Sequence, residues 1–148
     1  MRKQKGFTLV ELVVVVMILG ILAAVAAPKL LGTSGAATDN GLKQTLSVVR
    51  DAIERYAAAN GGAFPGEVTT NDTDLKNDLA PYLRGSFPVC PVAGKNAQVK
   101  ITATDPGTPI VGEASPTKSW HYCAETGQFI CNLSASTTTD ASVTYDAL

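Results

Sequence analysis

Glu11 is a carboxylate set inside an apolar run that extends from Phe7 to Ala27. An ionised carboxylate in hydrocarbon costs at least ~2.5 kcal/mol even on lenient insertion scales, so its position marks function by default. The chemistry it calls for is ion pairing with a cation brought alongside. Three cysteines, Cys90, Cys123 and Cys131, are the next candidates. Their number is odd, so one thiol is left over or pairs between chains. On a hairpin with a three-residue loop, Cys123 and Cys131 share a face but sit diagonally, which is poor geometry for a bridge. Cys90 bridging one of them, clipping Pro88-Val89-Cys90-Pro91 to a sheet, is the favoured arrangement; three reduced, buried thiols is the alternative.

Other chemistry is weakly signalled. Three cysteines without C-x-x-C spacing do not make a zinc site. His121 is the single histidine, and without a Gly-x-Ser-x-Gly motif it reads as a packed strand residue. Asn71, Asp72, Asp74 and Asp78 have the right type for calcium, but no Gly-x5-Glu follows, so cap and solvated charge is the better reading. Gly32-x-x-Gly35 lacks the lysine and preceding strand of a phosphate loop. The expectation is no catalytic residue, no metal and no cofactor.

The element that positions Glu11 is a hydrophobic segment of 21 residues, Phe7–Ala27. Roughly 20 residues span a bilayer as a helix. Arg2, Lys3 and Lys5 precede it, which keeps that end cytoplasmic and sends the remainder across. Ala24-Val25-Ala26 offers a secretory cleavage site, but a conventional signal has an apolar core of only roughly 7–15 residues and no acid. A plain anchor explains the length and leaves Glu11 and the Gly6-Phe7 junction unexplained.

Gly6-Phe7-Thr8-Leu9-Val10-Glu11 followed by an apolar helix resembles the class III signal of type IV pilins and type II secretion pseudopilins. Gly20 and Pro28 fall where that family has a glycine and a helix-bending proline. The resemblance is most specific over the first 28 residues. It implies that a prepilin peptidase cuts between Gly6 and Phe7 and methylates the new Phe7 amine. That amine then becomes the cation for Glu11 of a neighbouring subunit. It further implies a helical homopolymer with related minor pilins, an inner-membrane assembly platform and its ATPase. A calcium loop near the C-terminus, usual in the major pseudopilin, is not carried over, since the tail offers only Asp140 and Asp146.

The expected organisation is a leader over 1–6, a transmembrane and assembly helix over 7–28 and a head over 29–148. Pro28 breaks or bends a helix interior, giving either a helix ending near Ala27 or, the favoured reading, one long helix with a soft joint between Gly20 and Pro28. Leu42, Leu46, Val49, Ile53 and Tyr56 then recur at helical spacing, with Lys43, Arg50, Asp51 and Glu54 off the seam and solvated. Arg50 and Glu54 are placed to pair at i,i+4. Asn60-Gly61-Gly62 stops this helix at about residue 60. A short helix follows over Leu75–Leu83, capped by Asp72 or Thr73. The sheet is expected between about 98 and 133: a strand over Gln98–Thr104, a loop over Asp105–Ser119, then a hairpin of Ser119–Cys123 and Phe129–Leu133. The Trp120-x-Tyr122-x4-Gly127 stretch resembles the pseudopilin hairpin. Ser142–Leu148 alternates weakly, as an edge strand would. The fold class expected is α+β and pilin-like, with the long helix packed on a small antiparallel sheet.

The chain carries 12 basic and 13 acidic groups, and loss of Met1–Gly6 leaves a net charge of −4. Such a balance argues against nucleic-acid binding, which needs a basic patch. Two filament roles fit the resemblance: a type II secretion pseudopilin that polymerises from the inner membrane to drive export, which is favoured, and a surface pilin for adhesion, motility or DNA uptake. A membrane-anchored binding domain that never polymerises is the alternative outside it. All three place the head in the periplasm, with an assembled filament there or at the cell surface.

Overall fold

A computed structural model describes residues 7–66, 71–103 and 107–148, the side chains of 30–32 apart. The expected leader, with Gly6, lies outside the described residues, as does Thr104 at the end of the expected first strand. The chain divides into two units, one up to Ala36 and the other Ala37–Leu148. The element order is α1 (Leu9–Ala59), α2 (Asp72–Leu79), β1 (Val99–Thr102), β2 (Trp120–Cys123) and β3 (Phe129–Cys131), with 3-10 turns at Ala80–Tyr82 and Tyr145–Ala147. The α+β, pilin-like layout is therefore the one observed.

α1 passes through Pro28 as one continuous helix, as the long-helix reading requires. From Leu42 onward its apolar spacing acts as a seam: Leu42, Leu46, Val49 and Ile53 are buried, with Ala52 beside them. This stripe joins Trp120, Tyr122, Phe129, Val99 and Cys131 in one core. Gly61 and Gly62, both at positive φ, end the helix, and the Gly62 N–H caps Ala57 O at 2.8 Å. In α2 the cap is Asn71 rather than Asp72 or Thr73: its Oδ1 accepts the Thr73 N–H at 3.2 Å. Asp72 instead, one residue inside the helix, accepts from Lys76 Nζ at 2.8 Å.

The sheet is mixed, not antiparallel. β1 runs parallel to β2 with Val99 opposite Trp120, and β2 pairs antiparallel with β3 with Tyr122 opposite Phe129. Parallel neighbours need a crossover of about a dozen residues or more. β1 and β2 are separated by enough chain to supply it. The β2–β3 hairpin closes over residues 124–127, with Gly127 N–H donating to Cys123 O at 2.9 Å. Gly127 has φ 70°, and a Cβ there would lie 2.5 Å from the Phe64 ring.

The tail is docked rather than an edge strand. Asp39, fully buried on α1, accepts from the Thr139 N–H at 2.8 Å, the Thr139 hydroxyl at 2.9 Å and the Tyr145 hydroxyl at 2.9 Å. Arg50 is likewise not the solvated partner of Glu54. Its Nε donates to Phe129 O at 3.0 Å and its Nη2 to Leu148 O at 2.7 Å, joining helix, β3 and tail. The surface i,i+4 pair on α1 is Arg55 with Asp51, at 2.7 Å.

Two outcomes follow from these contacts. Gly127→Ala places a methyl group into Phe64 at a left-handed backbone position, and should destabilise the head by about 1–3 kcal/mol. Urea titration of the detergent-solubilised chain, read on the single Trp120, measures it. Burial works against the Asp39 charge, but the hydrogen bonds from Thr139 and Tyr145 outweigh it and lower its pKa below 3.8. A lowered folded-state pKa gives stability that is whole above 3.8 and fades as pH falls through the folded value. Asp39→Ala should therefore cost about 1–3 kcal/mol at neutral pH, by removing the acceptor shared by Thr139 and Tyr145, and much less in strong acid. An equal loss at both pH values would contradict the assignment.

Candidate functional site

The first turn of α1 holds a reciprocal cap. Thr8 stands just before the helix and its hydroxyl oxygen accepts the Glu11 N–H at 3.2 Å. Glu11 Oε2 reaches back to accept the Thr8 N–H at 3.2 Å and the Thr8 hydroxyl at 3.1 Å. This is the Thr-x-x-Glu capping box, in which two otherwise orphaned backbone donors are satisfied by each other's side chains. A carboxylate in a first helical turn also opposes the positive end of the helix dipole. Glu11 is thus already engaged within its own chain.

What surrounds it is unusual for a helix. Phe7 is 75% exposed, and the large apolar side chains from Leu9 to Val25 are all at least 43% exposed. The segment is apolar on every face and buries none of them in its own fold. It is the one helix among the described residues long and apolar enough to cross a membrane. Gly20 leaves open space where a side chain would stand, and Pro28 lies inside the same helix.

The head separates the three cysteines into two places. Cys90 and Cys131 are buried with their sulfurs 3.8 Å apart. Cys123 packs with Ile110 and Ile130. The expectation that Cys123 and Cys131 share a face is overturned: the hairpin loop has four residues rather than three, so Cys131 faces with Trp120 and Cys123 with His121. His121 gives Nδ1 to Val111 O at 3.0 Å, and its Nε2 lies 2.9 Å from the Thr102 hydroxyl. A carbonyl only accepts, so Nδ1 carries the hydrogen. Burial, the largest influence, lowers its pKa and keeps the ring neutral. Both nitrogens are spent on structure. Among the described residues no group of three or more His, Cys, Asp or Glu is placed to hold a metal. Asp140 caps Ser142 and Asp146 accepts from Gly112 N–H at 2.8 Å.

Comparison with known proteins places the chain among pilin-like sequences. The family model described as the prokaryotic N-terminal methylation motif matches residues 1–27. The chain is 43% identical over 60 residues to type II secretion system core protein G of Vibrio cholerae, covering 40% of this chain and 41% of that protein. The corresponding protein of Klebsiella pneumoniae is 37% identical over 60 residues, 40% of this chain and 43% of that one. A fimbrial protein of Pseudomonas aeruginosa is 34% identical over 110 residues, covering 73% of this chain and 66% of its own length. The chain belongs to the type IV pilin and pseudopilin superfamily. It spans about two-fifths of the secretion proteins and 66% of the fimbrial protein. No solved structure matches significantly.

Within a pilin-like chain the cap gives Glu11 a local role beside any intermolecular one. Sequence reasoning missed Thr8, although Thr-x-x-Glu ahead of an apolar run is a readable signal. It also missed Asp39 and Arg50, whose partners lie 79 to 106 residues away and leave no local pattern. Thr8→Ala removes the acceptor of the Glu11 N–H and should weaken the first turn by about 1 kcal/mol. Amide exchange at Val10, Glu11 and Leu12 in micelles should quicken about fivefold, and Thr8→Ser should restore it. Unchanged exchange in Thr8→Ala would refute the cap.

Proposed function

We propose that the chain is a structural subunit of a type IV pilus-like filament, most closely a type II secretion pseudopilin that polymerises from the inner membrane to drive protein export. The observation that carries this reading is a capped, charged first turn at the head of a helix that is apolar all round and covered by nothing in its own fold. Such a surface needs lipid before assembly and like helices after it.

The proposed course begins with residues 1–6 as a leader, cut between Gly6 and Phe7 by prepilin peptidase, with N-methylation of Phe7. The segment 7–28 is stored in the membrane as a single pass, with the head, 29–148, in the periplasm. Glu11 then trades its contacts with Thr8 for the Phe7 ammonium of a neighbour. Magnitudes favour the exchange: an ordinary hydrogen bond contributes about 0.5–1.5 kcal/mol net. An unpaired buried charge costs roughly 3–5 kcal/mol. In a dry helical bundle both ends of the ion pair would be penalised unless they met, which fixes the register between subunits. Gly20 and Pro28 would supply a soft joint as the helices pack. The partners this implies are further copies, related minor pilins, an inner-membrane platform with its ATPase, and lipid; no nucleic acid is among them.

A surface pilus is the second reading, and the longer of the matches, to the fimbrial protein over 110 residues, favours it. A non-polymerising anchor is separated from both by the N-terminus. N-terminal sequencing with intact mass should find a mature chain that starts at methylated Phe7; Met1 retained, or a start at Ala27, would count against assembly. Glu11→Ala should leave the head's unfolding midpoint within experimental error while filaments fall below a tenth of wild type by electron microscopy. Normal filaments from that variant would remove Glu11 from the mechanism.

A further inference from the structure

We infer that Cys90 and Cys131 form an intramolecular disulfide, with Cys123 outside the bridge. The inference rests on the reading above only in placing the head outside the cytoplasm, where disulfides persist. Geometry carries the pairing itself. The two sulfurs lie 3.8 Å apart in the core. A disulfide needs about 2.0 Å, so the closure required is small.

Cys90 is held at that distance by its loop. Its N–H donates to Asn96 O at 3.0 Å, and Trp120 Nε1 donates to Pro88 O at 3.0 Å, beneath the strand pair that carries Cys131. The Ser119 hydroxyl donates to Ala93 O and its oxygen accepts the Asn96 N–H at 3.1 Å. Residues 88–96 are therefore tethered to β2 on both sides of Cys90, and Trp120 stands opposite Cys131 in the ladder. Cys123 belongs to the other face with Ile110 and Ile130, where the sheet itself separates it from Cys90.

The pair is also chemically asymmetric. The hydrogen bond from Cys131 is the largest influence on Cys90 and, against burial, lowers its thiol to about 7. The same contact and burial push Cys131 upward. The oxidant required is a thiol–disulfide oxidoreductase bearing a reactive disulfide. One of the two cysteines, as its thiolate, attacks one of its sulfurs, forming a mixed disulfide and releasing the other as thiolate. The second cysteine then loses its proton and attacks the sulfur of the first, forming the Cys90–Cys131 bond and releasing the second thiolate. Two protons and two electrons pass to the oxidant, which leaves as a dithiol. Since both sulfurs are buried in the folded head, the exchange belongs to the stage before the 88–96 loop closes on β2.

The test uses the full chain, refolded in detergent micelles in glutathione buffers of graded redox ratio. The mass should fall by two hydrogens in oxidising buffer, and alkylation under denaturing conditions should then label Cys123 alone. Cys123→Ser should still lose two hydrogens, whereas Cys90→Ser and Cys131→Ser should not. Closing a loop of 41 residues should shift the unfolding equilibrium of Cys123→Ser by roughly a hundred- to a thousandfold between its oxidised and reduced forms. Three labelled cysteines in fully oxidised buffer, or a bridge that contains Cys123, would overturn the pairing. If the bridge forms in micelles but the chain recovered from cells is reduced, the pairing stands and the placement of the head outside the cytoplasm falls.

Discussion

The head is built on one apolar stripe, Leu42, Leu46, Val49 and Ile53, pressed against the Trp120, Tyr122 and Phe129 face of the sheet. A three-stranded sheet of four-, four- and three-residue strands is too small to hold itself together in water. It requires a helix across one face, and α1 provides that cover, with Leu42, Leu46, Val49 and Ile53 almost wholly out of solvent and Tyr56 partly so. The aromatic side chains then reach outward to fasten the loops: Trp120 holds Pro88, and the Tyr122 hydroxyl donates to Pro65 O at 3.0 Å. Loops without regular structure are thus ordered by polar tips on buried rings, which is how a large apolar residue organises more chain than it covers.

The same helix meets two unlike surroundings along its length. Ahead of residue 28 its large side chains are exposed on all sides; after residue 38 one stripe is buried and the exposed side is mostly polar, Val48 apart. Period 3.6 with a polar opposite face specifies a soluble partner, whereas an unbroken apolar surface specifies lipid or identical neighbours. Glu11 is tolerable at the start of the second kind of surface because Thr8 and the helix end give its charge a local home.

Much of this was legible in the residues. The seam, the glycine stop after Ala59 and the Trp120–Cys123 hairpin strand are local patterns, set by spacing within one element, and they appear where spacing puts them. The pairing of β1 with β2 depends on the path the chain takes between them, and no periodicity encodes a path. Whether two cysteines share a face depends on one residue more or less in a hairpin loop, so a count of four instead of three reversed the parity of Cys123 and Cys131. Asp39 and Arg50 look like ordinary solvated residues until a tail a hundred positions onward arrives beside them. The Thr8–Glu11 cap is the opposite case: wholly local, and readable from the Thr-x-x-Glu spacing alone.

Asp39 is the first buried residue of the head, and it grips the last segment of the chain through Thr139 and Tyr145. The entry and exit of the domain are thereby buckled together. Tension transmitted along α1 arrives at this buckle before it reaches the sheet, and several hydrogen bonds to one carboxylate must shear together there.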